Sequence, residues 1–393
     1  MQYVVKHYEM PTQKWQLDTK ATEAEIEKTS AQQGAEKWET DMRGLKKSLA
    51  LALSATVLSA GMAQAADWWP FKIASAKDGD LKNVGEIEYK PLDKAEKPWK
   101  LCVLFPHLQD SYWVSVDYGI VEEAKRLGVK VTVLQAGGYT ALPKQISQYD
   151  DCVASGADAI LISAISEAGV AAKINEGMGK GIVNIAVANP ILETPITARI
   201  TPDFYQKGFQ TGEYVKKYLG DKQGTAVAFP GPQGSGWAET YMNGFRDSTK
   251  SGNIKLVGEM FGEASVPAQL KLVEDALQTH PDVNVIWGGA PTAEAAIGAV
   301  ADAGLSNVTI MSSYENQTML KAVKDGSVLG FATEYPVIMG RIGVDLAVRA
   351  LEKKDHEKVL LVAPGIVTKD NVDKIDTTQI FAPDNWRPVF SVE

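Results

Sequence analysis

Lys100–Phe105 reads KLCVLF. Trp113, Val116, Ile120, Ala124 and Leu127 follow at helical spacing, and Lys130–Leu134 then reads KVTVL. The two outer runs are short and almost wholly apolar, as strands buried on both faces of a sheet are. The stretch between them places its apolar residues on one face of a helix. A strand, a helix and another strand of this kind make one unit of a parallel sheet, and this unit decides the fold.

The same alternation extends downstream. Ala136-Gly137-Gly138 breaks the second strand, and a helix is expected over Pro143–Val153. A strand at Ala159–Ile162, a helix at Glu167–Gly177 and a strand at Val183–Val187 complete the series. Around Arg199–Phe204 (RITPDF) the pattern restarts. Strands are expected at Ala226–Phe229, Ile254–Glu259, Val283–Trp287, Val308–Met311, Leu329–Thr333 and Lys358–Val362, with amphipathic helices between most of them. Two doubly wound α/β lobes of similar size, joined by a multi-strand hinge, fit this better than one very large sheet. The expected division gives residues 98–202 plus about 312–335 to the first lobe. Residues 203–311 plus about 336–365 fall to the second, with an N-terminal segment over 66–97 and a C-terminal tail over 366–393.

Upstream, Met42-Arg43-Gly44-Leu45-Lys46-Lys47 is followed by the uncharged run LALALSATVLSAGMAQA at Leu49–Ala65. A basic start, an apolar middle and Ala63-Gln64-Ala65 are the layout of a secretory signal peptide over residues 42–65, cut before Ala66. Residues 1–41 read as an upstream extension outside the mature protein, and the expected location is the periplasm. Export bears on the two cysteines. In an oxidising compartment Cys102 and Cys152 are either joined as a disulfide or remain separate buried thiols.

The 393 residues are 45% hydrophobic and 23% charged, the balance of a globular protein. A net charge of −9 offers no basic face to a nucleic-acid backbone. The four histidines (His7, His107, His280 and His356) lack ligand spacing, so no metal is expected. The PGPQGSGW run at Pro230–Trp237 lacks the lysine of a phosphate loop and reads as a turn that brings backbone to the cleft. No nucleophile–base set or zinc motif is present, so neither an enzyme nor a cofactor is expected.

In open α/β sheets ligands sit beyond the carboxyl ends of the strands. Those loops carry Asp110, Tyr112 and Trp113, then Tyr139, Phe204, Trp237, Tyr314 and Glu334. Several ring faces with a carboxylate suit a methylated nitrogen, which cannot be held by hydrogen bonds from its methyl groups; each cation–π contact contributes ~0.5–2 kcal/mol. Each residue has an ordinary alternative. Asp110 can cap a helix, and any one ring can be core.

WKLCVLFP at Trp99–Pro106, DSYW at Asp110–Trp113, AGGY at Ala136–Tyr139, PGP at Pro230–Pro232, AEAA at Ala293–Ala296 and WRPVF at Trp386–Phe390 resemble the type I periplasmic binding proteins. The resemblance is to their trimethylamine N-oxide-binding members in particular. It implies a ligand box of Tyr112, Trp113, Tyr139 and Tyr314 with Asp110 as the acid, and Phe204 where that branch has a tryptophan. It also implies a Trp237 that reshapes the pocket, and a partner in the periplasmic domain of a membrane sensor histidine kinase. Sugar-binding relatives resemble the chain at the same loops, but Glu239 and Tyr314 stand where those place an arginine and an aspartate. A receptor for an ABC importer, taking a sugar, autoinducer or betaine-like solute, is the alternative. A transcription factor with this core would need a basic headpiece where the signal peptide lies.

Overall fold

The structure is a computed structural model and describes residues 68–393 apart from residue 82. The expected extension and signal peptide lie outside the described residues. In chain order the strands are β1 (Phe71–Ala76), β2 (Gly85–Tyr89), β3 (Lys100–Phe105), β4 (Lys130–Gln135), β5 (Ala159–Ile162), β6 (Val183–Val187), β7 (Ala198–Pro202) and β8 (Gly224–Phe229). They continue as β9 (Ile254–Glu259), β10 (Val285–Gly288), β11 (Thr309–Ser312), β12 (Gly330–Thr333), β13 (Val359–Val362), β14 (Gly365–Thr368) and β15 (Ser391–Val392). The helices are α1 (Ser111–Leu127), α2 (Leu142–Ala154), α3 (Glu167–Gly179), α4 (Phe204–Leu219), α5 (Trp237–Thr249), α6 (Val266–Thr279), α7 (Ala290–Asp302), α8 (Gln317–Asp325) and α9 (Pro336–Leu351).

Two sheets form the α/β architecture. The first has the order β15-β4-β3-β5-β6-β7-β13-β1-β2, the second β14-β12-β11-β10-β8-β9. Their central strands are parallel. β5 and β10 are buried at every residue, which is why they read as unbroken apolar runs. Antiparallel strands finish the edges: β1 and β2 beyond β13, β15 beside β4, and β14 beside β12.

The exchange of segments between lobes corrects the expected division. Residues 309–333 stay with the second lobe: β12 pairs with β11, and Met319, Val323 and Phe331 lie in that lobe's core. Residues 336–362 belong to the first lobe: β13 pairs with β7, and Ile338, Met339, Ile342 and Leu360 pack with Val116 and Ile120. The N-terminal segment and the tail are not separate appendages, since each supplies strands to these sheets. The chain thus passes between lobes at Asp203, at Glu334–Tyr335 and at residues 363–364, and the tail returns once more. Tyr335 takes left-handed backbone at the second crossing (φ 55°).

In each lobe two helices touch backbone to backbone through glycines. A Cβ on Gly119 would overlap the Val337 carbonyl, and one on Gly340 the Val116 carbonyl. On α4 and α5, Gly208 and Gly244 meet the Tyr241 and Tyr205 carbonyls in the same reciprocal way. No flexible side-chain end is available to give way. Gly208→Val will therefore destabilise the protein by at least about 1–3 kcal/mol through overpacking, read as a lower urea midpoint at an unchanged slope.

Candidate ligand-binding site

The helix after β3 starts at a sharp cap. Asp110 is extended, and its Oδ1 accepts from the Tyr112 N–H at 3.1 Å. Tyr112 and Trp113 are thereby fixed in the first turn, at the mouth of the cleft. After β4 the chain turns at Gly137 and Gly138, whose N–H groups donate to the Pro106 carbonyl at 2.8 and 3.0 Å, and delivers Tyr139. In the second lobe Asp203 caps α4 by accepting from the Gln206 N–H at 3.0 Å, placing Phe204 and Lys207 in that helix's opening turn. Gly231, at φ 115°, leaves room for the Trp237 indole, which a Cβ there would meet.

These loops enclose a cavity of about 30 Å³ between the lobes. Tyr112, Trp113, Tyr139, Phe204, Trp237, Tyr314 and Glu334, all expected from the sequence, line it together. His107, Asn189, Lys207 and Ala264 line it too and were not expected. The rings meet mostly edge to face: Tyr112 with Trp113 at 5.1 Å, Tyr112 with Tyr314 at 5.4 Å, and Tyr139 with Trp237 at 5.7 Å between centroids. Asp110 stands behind this wall. It accepts from the Tyr314 hydroxyl at 3.0 Å and from the Asn316 amide at 3.3 Å. Burial pushes its carboxyl up, and the Tyr112, Tyr314 and Asn316 donors hold it down. Glu239 stays out of the cavity; it closes the start of α5 by accepting from the Gly236 N–H at 2.9 Å.

Lys207 decides the electrostatics. Its side chain is 1% exposed and its ammonium contacts Glu334, itself 4% exposed. The second Glu334 oxygen accepts from the Tyr112 hydroxyl at 2.5 Å. The ammonium also lies over the Phe204, Tyr241 and Tyr314 rings, at 5.2, 5.5 and 5.6 Å from their centres. Part of the aromatic cage thus already holds a cation of the protein's own. Burial pushes the Lys207 ammonium down and the Glu315 carboxylate pushes it back up; contact with Glu334 acts in the same sense as Glu315. Glu315 fixes Glu334 in place at the second crossing. It accepts from the Glu334 and Tyr335 N–H groups at 2.7 and 3.1 Å and from the Thr333 hydroxyl at 2.9 Å. The lobes are tied across the cleft by Tyr314–Asp110 and by the Tyr139 N–H donating to Glu263 at 2.9 Å, while Tyr112 is tied to Glu334 at the crossing.

Lys207 was legible in principle. Phe204, Gly208, Thr211 and Val215 form the buried stripe of α4. A lysine inside that stripe requires a buried anionic partner. His107 carried no such signal.

Residues 101–355 match the sequence model of the periplasmic binding protein domain. The chain belongs to the type I periplasmic binding protein family. Within that family it is 31% identical to the periplasmic protein TorT of Escherichia coli O157:H7, over 76% of this chain and 86% of that protein. It is 42% identical to an ABC transporter solute binding protein from Bradyrhizobium sp. BTAi1 with bound Bis-Tris. The TM-score is 0.72, and the match covers 83% of this chain and 99% of the other. The TorS sensor domain–TorT complex in the presence of trimethylamine N-oxide is 26% identical at a TM-score of 0.67, over 74% of this chain and 99% of that one.

Cys102 and Cys152 are joined as a disulfide, with Cα atoms 5.8 Å apart, linking β3 to α2 on the side of the first sheet away from α1.

Proposed function

We propose that this chain is an exported sensory binding protein that closes its lobes around trimethylamine N-oxide or a close methylamine. The closed form is then presented to the periplasmic domain of a membrane sensor histidine kinase. The observation that carries this reading is the interlobe cavity itself, walled by aromatic rings from both lobes and bridged by Tyr314 with Asp110 and Tyr139 with Glu263. Ring faces bury methyl groups and attract a methylated nitrogen, at ~0.5–2 kcal/mol for each contact. A ligand touching both walls stabilises the closed state by its difference in affinity between closed and open forms, and only by that difference. The job is binding rather than catalysis.

A second reading is a solute receptor for an ABC importer. It is favoured by the 42% identity to a solute binding protein of that kind, whose bound Bis-Tris is a tertiary amine bearing hydroxyl groups. Calorimetry on the exported protein with trimethylamine N-oxide, glycine betaine, Bis-Tris and ribose separates the two, together with ligand-dependent co-purification of a TorS-type sensor domain. Saturable binding of the amine oxide and a ligand-dependent complex are expected. Preference for a polyhydroxylated solute without a complex would put the importer reading first. Trp113→Ala, checked for folding by circular dichroism, should weaken amine-oxide binding at least about tenfold by removing one ring wall. Unchanged affinity would remove Trp113 from the site.

A further inference from the structure

The cavity is rich in one kind of polar group. His107 is 3% exposed, and its Nδ1 accepts from the Gln109 N–H at 3.3 Å. That bond leaves the ring proton on Nε2. Burial pushes the imidazole down to about 4, so the ring is neutral at neutral pH. Its Nε2 is buried without a hydrogen-bond partner. Trp237, 6% exposed, is in the same position: its Nε1–H stands beside the Tyr139 hydroxyl but forms no hydrogen bond of acceptable geometry. Lys207 adds an ammonium to the same wall.

The acceptors, in contrast, already serve donors of the protein. One Glu334 oxygen meets Lys207 and the other the Tyr112 hydroxyl. The Tyr139 hydroxyl accepts from the Asn189 amide at 3.0 Å, and the Tyr314 hydroxyl donates away from the cavity, to Asp110. A buried N–H without a partner costs stability until something accepts from it. A solute that brings hydroxyl donors into this cavity must share acceptors already in use, Asn189 Oδ1 among them, which accepts from the Tyr139 hydroxyl at 3.4 Å.

We infer that the site selects an acceptor-only solute: a methylated nitrogen bearing an anionic oxygen, with that oxygen bound by His107 Nε2–H and Trp237 Nε1–H and the methyl groups against the rings. The inference rests on the reading that the cavity takes a methylated nitrogen, and makes it more specific. The pair of N–H groups separates an amine oxide from the amine left when its oxygen is removed. The protonated amine has a donor to place and no acceptor to offer. Sites built to hydrogen-bond a group reject the analogue that lacks it far more strongly than apolar pockets reject a changed methyl.

Tetramethylammonium is the deciding probe, because it has nearly the shape of trimethylamine N-oxide with a methyl in place of the oxygen. Titrated calorimetrically into the exported protein, the amine oxide should bind at least about a hundredfold more tightly than tetramethylammonium or trimethylammonium. Trp237→Phe keeps a ring and loses the donor. It should weaken amine-oxide binding about tenfold and leave tetramethylammonium unchanged or improved. His107→Phe should do the same, and His107→Gln, which restores an N–H, should recover part of the loss. Melting curves of each variant show that it is folded, and Trp237→Phe carries the test if His107→Phe is not. Equal or tighter binding of tetramethylammonium by the native protein would overturn the inference while leaving a methylated-nitrogen site. Failure of both trimethylamine N-oxide and glycine betaine to bind would overturn the underlying reading and this inference with it.

Discussion

Lys207→Met should cost about 3–5 kcal/mol of unfolding free energy, because it leaves the Glu334 carboxylate buried with no cation beside it. The side chains are 1% and 4% exposed, so solvent does little to screen the loss. Tyr112 would still donate to Glu334, but one neutral donor does not replace an ammonium. Glu334→Gln alone should also destabilise, since Lys207 then keeps its charge among three rings without its contacting carboxylate. The double variant Lys207→Met with Glu334→Gln should recover most of the loss. It removes both charges and retains an acceptor for Tyr112. Urea denaturation of the four proteins closes the cycle, and a coupling below about 0.5 kcal/mol would mean that the two groups do not act as a pair.

Removing the disulfide should be of similar size. Cys102→Ala with Cys152→Ala opens a loop with a sequence separation of 50. Chain entropy assigns such a closure about 4 kcal/mol at room temperature. Dithiothreitol should lower the native protein's urea midpoint to that of the double variant and leave the variant itself unmoved. A native midpoint insensitive to reductant under unfolding conditions would show that the cross-link contributes nothing.

The parts of the fold legible in the sequence were those whose signal is local. β3, β5, β6 and β9 carry the expected limits, because strands buried on both faces, or bounded by turns, announce themselves in a few residues. β1, β2, α8, β14 and β15 were not anticipated. β2, α8, β14 and β15 are short or lie at sheet edges, and β1 mixes exposed and half-buried residues with its buried ones, which dilutes the pattern. Lobe membership after residue 312 came out reversed for a different reason. Nothing within Val337–Lys353 says which sheet it covers; that depends on Gly340 meeting Val116 more than two hundred residues away. The site followed the same division. Aromatics at the ends of strands could be gathered from the topology alone, and they line one cavity. Asp110, by contrast, proved to stand behind the rings as a helix cap, the bland role open to it from the start. Lys207 and His107 depend on partners brought from elsewhere in the chain, Glu334 for the first and the enclosing lobe surfaces for the second.

The return of the tail to β4 has a consequence for how this molecule lives at high concentration. An open sheet ends in unpaired backbone groups that invite a strand from another molecule. On one side of the nine-stranded sheet, Ser391 and Val392 occupy that row themselves, and Val133 N–H is already taken by the Phe390 carbonyl. On the other side β2 presents Glu86 and Glu88 to solvent, so an approaching strand meets two carboxylates before it meets a backbone. One border is sealed by the chain's own end and the other is guarded by charge, which leaves the sheet little opportunity to grow by recruiting its neighbours.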